Sequence, residues 1–335
     1  MLNKIYDNIK KFVKENFKFL IVLLVLVLML YVELPYMIYK SGGTIDLNDR
    51  VTTELKSNKD GSISMTYVTV LKGTPAFILL SFILPDWDLV SMDSEFNGED
   101  YNEVIEIGKE NLVDGIDHAI IAAFNESNYD ITINKISFIV NGKVEESNNT
   151  LEIGDEIISV NGKKINAFDD IKDSIKKKKE NDVVKIKVIN DNVEYERTAK
   201  LMNSDNGVIM GITVKTEYDY NTEIPITIKT EKNESGSSGG LMMALSIYDK
   251  LTSEDITKGH TIAGTGTISE SGVVGEIDGI KYKILAAEKK NAEIFFVPAN
   301  NYKEAIKIKK NKNLKVKVVK AETLKEVILY LSKLK

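Results

Sequence analysis

Cysteine is absent from the 335 residues, histidine occurs twice and tryptophan once. The first absence excludes disulfides, thiolate metal sites and cysteine nucleophiles together. With only His118 and His260 available, a zinc site would need carboxylates that spacing does not group, so no metal or other cofactor is expected. A catalytic base must then be a histidine, a carboxylate or a lysine. Positive charge is not in surplus either: 44 Lys and Arg stand against 50 Asp and Glu, a net charge of −6. A phosphate-neutralising surface, and with it a nucleic-acid partner, is not expected. What is present is ordinary: 43% hydrophobic and 28% charged residues describe a chain that buries a core and exclude a disordered or fibrous one. The length implies two or three domains.

One long apolar run occurs, the fourteen residues 19–32. At ~1.5 Å per residue this covers roughly 21 Å, short of a ~30 Å hydrocarbon layer. Lys18 can snorkel at one end, and the apolar stretch beyond Glu33 carries Tyr36 and Tyr39, residues suited to an interface. The flanks therefore predict a single-pass transmembrane anchor over 19–39. A cleaved leader would show small residues just after the run, and glutamate, leucine, proline and tyrosine stand there. Lys4, Lys10, Lys11, Lys14 and Lys18 outnumber Asp7 and Glu15. This excess puts the tail 1–18 on the cytoplasmic side of a cell membrane and the rest of the chain outside.

Beyond the run, residues 44–130 read as an α/β packing region. Residues 64–71 alternate as a strand, Gly73-Thr74-Pro75 turns the chain, 101–112 is a helix and 119–124 its buried neighbour. Residues 136–140 and 183–189 are strands, and two short strands flank Asn161-Gly162, a strong hairpin signal. Residues 168–178 form a helix with Phe168, Ile171 and Ile175 on one face, and Asn166 is positioned to cap it. From Leu151 to Gly162 the chain matches L-x-x-G-D-x-I-x-x-V-N-G, and the span 131–204 resembles a PDZ domain. The resemblance implies capture of an extended peptide beside the edge strand next to that helix. Many PDZ domains hold a C-terminal carboxylate in a glycine-rich loop before the strand. Residues 128–135 contain no glycine, which argues against carboxylate capture.

The stretch Glu234-Ser235-Gly236-Ser237-Ser238-Gly239-Gly240 leads into a helix whose Leu241, Leu245 and Tyr248 share a face. A serine in a glycine turn at a helix start gains close substrate approach and unpaired N–H groups for an oxyanion. On spacing alone, any of the three serines serves equally as a helix cap. A nucleophilic serine needs a base. His260 opens a strand, and no carboxylate is spaced to orient it as a triad would require. Farther on, Lys283 shares an apolar helix face with Ile280, Ile284 and Ala287, whereas Lys281 lies with Leu285 and Glu288. Burial disfavours the ammonium form, so a lysine on such a face can act as a neutral base.

These stretches together resemble the proteolytic domain of the Lon family, which uses a Ser–Lys dyad. Its serine motif Gly-Pro-Ser-Ala-Gly is matched by Gly236-Ser237-Ser238-Gly239-Gly240, with Ser238 at the nucleophile. Its lysine motif Gly-Gly-Leu-x-x-Lys is matched by residues 278–283, with Lys283 at the base. Ala263-Gly264-Thr265-Gly266-Thr267 resembles the family's Thr-Gly-Glu strand. That implies that Thr265 contacts the lysine, and that the backbone of Ser237, Ser238 and Gly239 receives the oxyanion. Ser237 and Gly239 replace proline and alanine, and Asp278 replaces the first glycine of the lysine motif. No G-x-x-x-x-G-K-[ST] occurs, so an ATP-driven motor is not expected.

The expected fold class is α+β and multidomain: a single N-terminal transmembrane helix, the PDZ-like β domain 131–204 and a Lon-type proteolytic α+β domain 211–335. The resemblance is to membrane-bound, ATP-independent PDZ–Lon proteases. It implies an extracellular serine endopeptidase acting on exported peptides, unfolded proteins or flexible segments, and a homo-oligomer, since Lon-type domains often form rings. The alternative is a membrane-tethered PDZ peptide-binding protein whose Lon-type domain is inert.

Overall fold

The computed structural model describes residues 2–55, 60–96, 101–144, 146–204 and 207–334. Two helices, Leu2–Glu15 and Phe17–Tyr31, begin the chain. The second has 15 residues, about 22 Å of helix against a ~30 Å hydrocarbon layer. From Leu34 the backbone is already a strand, Leu34–Asp46, with Met37 and Ile38 buried inside the protein. Among the described residues no helix is long and apolar enough to cross a membrane. This overturns the anchor expected over 19–39, and with it the transmembrane part of the fold class and the membrane localisation. The apolar residues after Glu33, needed to complete the span, pair in a sheet instead.

That sheet has six strands in the order Lys317–Ala321, Ile294–Pro298, Thr261–Gly264, Ser62–Gly73, Leu34–Asp46 and Asp88–Ser91. The first four run parallel, and each of the last two pairs antiparallel with the strand before it. Ile294–Pro298 is buried at every position, as an unbroken apolar run in a sheet covered on both faces must be. One face packs against helices Tyr101–Glu126, Gly240–Leu251 and Leu324–Leu331, around Ile63, Ile262, Phe296 and Leu245. The other packs against Ile280–Lys289 and Tyr302–Lys312, around Ala263, Phe295, Ile284 and Ala305. Strands from residues 34–73 and from residues 261–321 therefore share one sheet.

A second sheet holds the PDZ-like unit: Ile212–Thr222, Ile131–Lys143, Glu156–Val160, Val183–Asn190 and Val193–Lys200, in that order. Its core gathers Phe138, Leu151, Ile157, Ile171, Ile186 and Val188. The expected hairpin forms, with Val160 opposite Lys163 and both turn residues at positive φ, 49° for Asn161 and 81° for Gly162, as a primed turn requires. The helix is shorter than expected, Phe168–Ile175, and Asn166 does not cap it. Instead the Asp170 carboxylate accepts from the amides of Asn166 and Ala167. The unit enters through Ile131–Lys143 and leaves through the neighbouring antiparallel strand Ile212–Thr222. It is inserted between helix Tyr101–Glu126 and strand Ile226–Ile228, which pairs back to Val51–Thr53.

The aspartate of the L-x-x-G-D motif has a structural task. Asp155 is fully buried, and its carboxylate accepts from Arg197 Nε at 3.1 Å, Asn190 Nδ2 at 2.9 Å and the Glu152 amide at 2.8 Å. Removing one partner of a buried pair strands the other, at a cost of about 3 kcal/mol or more. Asp155→Ala is accordingly expected to lower the urea midpoint of the PDZ-like unit, read from hydrogen exchange in strands Val183–Asn190 and Val193–Lys200. The exchange of Ile294–Pro298 should change far less.

Candidate active site

The glycine-flanked serine stretch forms a loop that ends at Gly239, where helix Gly240–Leu251 starts. Its carbonyls and flanks are tied down. Ser238 O accepts from the Gly266 amide at 2.8 Å and from Thr265 Oγ1 at 2.9 Å, and the Leu241 amide donates to Gly266 O at 3.0 Å. The Gly236 amide donates to Gly108 O at 2.6 Å. At the base of the loop, Arg50 Nη1 donates to Lys229 O at 3.0 Å and Nη2 to Glu234 Oε1 at 3.1 Å. Amid this, the amides of Ser237, Ser238 and Gly239 donate to nothing among the described residues. Three fixed, free donors beside a serine are what an oxyanion site needs.

Packing separates the three serines. Ser235 and Ser237 lie against Gly108 and Gly115 of helix Tyr101–Glu126, where a Cβ on either glycine would come 3.1 Å from a serine Cβ. Ser238, packed against neither glycine, lines a cleft of about 310 Å³ with Thr66, Val68, Leu112 and Gly239; Ser235 reaches the same cleft from its glycine seat, and Ser237 does not. The sequence pattern predicts two pieces here, 101–112 and 119–124, whereas one helix runs unbroken through both. Glycine inside a helix is disfavoured by ~1 kcal/mol, so Gly115 argues for a break. The i, i+7 spacing of the two glycines is the signal that explains them: both fall on one face, and that face is a notch for the serine loop. Gly239 is also crowded, since a Cβ there would come 2.6 Å from Met65 Sδ. The departure from alanine at this position is thus matched by a methionine that fills its space.

The two lysines part as their helix faces predict. Lys283, on helix Ile280–Lys289, is 4% exposed. Burial pulls its amine from the ordinary 10.5 down to about 8, against a smaller opposing pull from Asp278. Lys281 reaches outward to the Asp88 carboxylate, which Tyr282 also binds. Lys283 and Ser238 stand at the same end of the sheet. The serine loop is bound to residues 265–266, just past the C-terminal end of strand Thr261–Gly264, and Lys283 lies in the first turn of the helix entered through Gly279. Val68 is their common neighbour: it lines the Ser238 cleft, and its Cγ2 would lie 2.9 Å from a Cβ on Gly279. Among the described residues no hydrogen bond joins the amine to the serine hydroxyl in this arrangement. Thr265 is buried, and its hydroxyl serves the Ser238 carbonyl rather than the lysine that the resemblance implies.

His260 has a carboxylate partner that spacing does not reveal, Glu293 Oε2 at 2.7 Å from Nδ1. The pair sits at the start of strand Thr261–Gly264, about 15 Å along the strand from the serine loop, so it forms no triad with Ser238. The strand beside the cleft is half open. Thr261–Gly264 pairs only with residues 62–65 of Ser62–Gly73. The Ser62 amide donates to His260 O, so by alternation the backbone groups of Val68 and Val70 face the unpaired side.

A larger cavity, about 620 Å³, lies on the PDZ-like unit between helix Phe168–Ile175 and residues 207–214. Phe168, Ile171 and Ile175 line it on one side, and Val208, Met210 and Ile212 on the other. No glycine loop stands at 128–135. The groove is instead bounded by Gly207, at positive φ, and by edge strand Ile212–Thr222.

Residues 211–332 match the Lon protease C-terminal proteolytic domain, and residues 124–189 match the PDZ domain. Among curated proteins, the chain is 31% identical over 130 residues to the peroxisomal Lon protease homolog 2 of Caenorhabditis elegans, covering 39% of this chain and 16% of that protein. It is 26% identical over 147 residues to the Lon protease of Campylobacter concisus, covering 43% and 18%. It is 36% identical over 95 residues to that of Trichlorobacter lovleyi, covering 28% and 11%. The chain thus spans less than a fifth of the length of these relatives. The matches carry a Lon-type proteolytic domain and a PDZ domain, and they support a serine-type peptidase.

Proposed function

We propose that the protein is a serine endopeptidase in which Ser238 is the nucleophile and Lys283 the general base, working without ATP on peptides or flexible protein segments. The observation that carries this reading is the pairing of one dry lysine amine with one serine beside three free amides at the same end of a sheet. Neutral Lys283 takes the Ser238 proton, and Oγ attacks the scissile carbonyl. The amides of Ser237, Ser238 and Gly239 receive the oxyanion; loss of one such donor costs ~10²–10³ in rate in other enzymes. Lys283 then protonates the leaving amine, and water releases the acyl-enzyme. Thr265 acts by holding the Ser238 carbonyl. An extended substrate adds to the open edge at Val68 and Val70, and the groove beside Phe168–Ile175 docks a second stretch of the same substrate.

Ser238→Ala and Lys283→Ala are each expected to abolish hydrolysis of a fluorogenic peptide, whereas Lys281→Ala should retain it. Activity surviving Lys283→Ala would refute the base assignment.

The pH profile should show the amine directly. A base must be neutral, so kcat/KM should rise with pH through an inflexion near 8. Asp278 favours the ammonium form, so Asp278→Asn should move that inflexion downward. An upward move would contradict the electrostatics.

Burial of the amine also bears on stability. Lowering a lysine from 10.5 to about 8 corresponds to ~3 kcal/mol of folding cost at neutral pH. The cost is full below the folded value and fades as pH rises from about 8 toward 10.5. Lys283→Met should therefore unfold at higher urea than the native protein at pH 7, with the gap closing above about pH 10.

A further inference from the structure

A polar cluster that the reaction does not use lies where the inserted PDZ domain meets the proteolytic unit. His118, on helix Tyr101–Glu126, places Nδ1 3.1 Å from the Ile268 carbonyl and Nε2 3.2 Å from the Tyr218 hydroxyl. Tyr218 belongs to the PDZ edge strand Ile212–Thr222, and its hydroxyl also bonds Glu270. The two rings meet edge to face with centroids 5.5 Å apart.

Proton counting orders the cluster. A carbonyl only accepts, so Nδ1 carries a hydrogen toward Ile268. Burial, reinforced by Glu270, pushes the Tyr218 hydroxyl far above its ordinary value, so it keeps its single proton. Burial alone would raise Glu270, but the Tyr218 hydrogen bond and the other contacts outweigh it and hold that carboxyl below the usual range. Tyr218 therefore donates to Glu270, and its oxygen stands 3.2 Å from His118 Nε2. Each contact of the ring thus reaches a group from a different segment.

The far end of this chain of contacts is the serine loop. Ile268 sits against Gly240, the first helical residue, two positions after Ser238: a Cβ there would meet Ile268 Cγ2 at 3.0 Å and its amide nitrogen at 3.1 Å. Ser237, His118 and Ile268 line one cavity of about 400 Å³. The PDZ strands grip the same helix twice more, Tyr220 donating to Asp117 at 2.9 Å and Asn141 to Glu110 at 2.5 Å. That helix carries the glycine notch in which Ser235 and Ser237 rest.

We propose that the PDZ domain is a positioning part of the peptidase site: Tyr218, through His118 and Glu270, seats Ile268 against Gly240 and so fixes the Ser237–Gly239 amides. The proposal rests on the reading of Ser238 as nucleophile. Tyr218 and His118 are positioning residues and touch no reacting atom.

Tyr218→Phe keeps the ring and removes the hydroxyl. With a short fluorogenic peptide, its kcat is expected to fall about 5- to 10-fold, as the hydroxyl's contacts with His118 and Glu270 are both lost, at nearly unchanged KM. His118→Ala should lower kcat further, and adding Tyr218→Phe to it should bring little more, because the two act in series. Urea titrations of each variant report the folded fraction. Wild-type kcat in Tyr218→Phe, an effect confined to KM, or a loss that only tracks the fraction unfolded would overturn the proposal. Ser238→Ala is measured beside them: residual turnover there would sink the nucleophile assignment, a failure distinct from that of the coupling.

Discussion

Withdrawing the Lys283 amine from water is the constraint to which the other features of the site answer. An ammonium in that position is costly and a neutral amine is useful, and one desolvated environment produces both effects. The desolvation comes from the sheet. Lys283 is buried in the first turn of helix Ile280–Lys289, whose Ile280, Ile284 and Ala287 build the layer on that face, while its near neighbour Lys281 sits on the rim against Asp88. Position along the helix, two residues apart, decides which lysine can be a base.

The serine loop shows the complementary rule. The proposed oxyanion role needs donors that stay unsatisfied, and a loop free to move would satisfy them with its own carbonyls. The fastenings fall on other atoms: Gly266 and Thr265 on the Ser238 carbonyl, Gly108 on the Gly236 amide, Arg50 on Lys229 and Glu234. Only two arginines occur in this lysine-rich chain, Arg50 and Arg197. Both sit where a rigid fork is needed to reach two acceptors at once, one beneath the serine loop and one in the PDZ unit. That scarcity is a sequence signal for Arg50, which arguments from spacing pass over.

What can be read from the sequence is local or periodic. The Asn161-Gly162 hairpin follows from turn chemistry, and the burial of Lys283 against the half-buried rim position of Lys281 follows from a helical period. Long-range pairing leaves no such mark. Residues 64–71 read as a strand, but nothing in them announces that the start of that strand, residues 62–65, pairs with Thr261–Gly264, nearly two hundred residues on. Motif order points to 128–135 for the peptide groove of the PDZ unit, yet the edge strand beside that groove, Ile212–Thr222, comes last in the unit's sequence and first in its sheet. The membrane span fails for a related reason. Apolarity at 34–39 is shared by a bilayer segment and by a buried strand, and only the register of Leu34–Asp46 against Ser62–Gly73 tells them apart.

The order of the sheet also constrains how the two domains relate. A module that enters by Ile131–Lys143 and leaves by the adjacent strand Ile212–Thr222 closes on itself, so its insertion need not disturb the host fold. Here the host does not treat it as a spacer. The helix that delivers the chain to the module, Tyr101–Glu126, is also the one notched by Gly108 and Gly115 for the serine loop. Side chains from both exit and entry strands bind its polar face. A helix held on one side by the PDZ strands and on the other by the loop it shapes cannot shift toward one without a change in the other. Rigid secondary structure with packed contacts at both ends is the physical form that coupling between two sites takes, and it follows from where the insertion was placed.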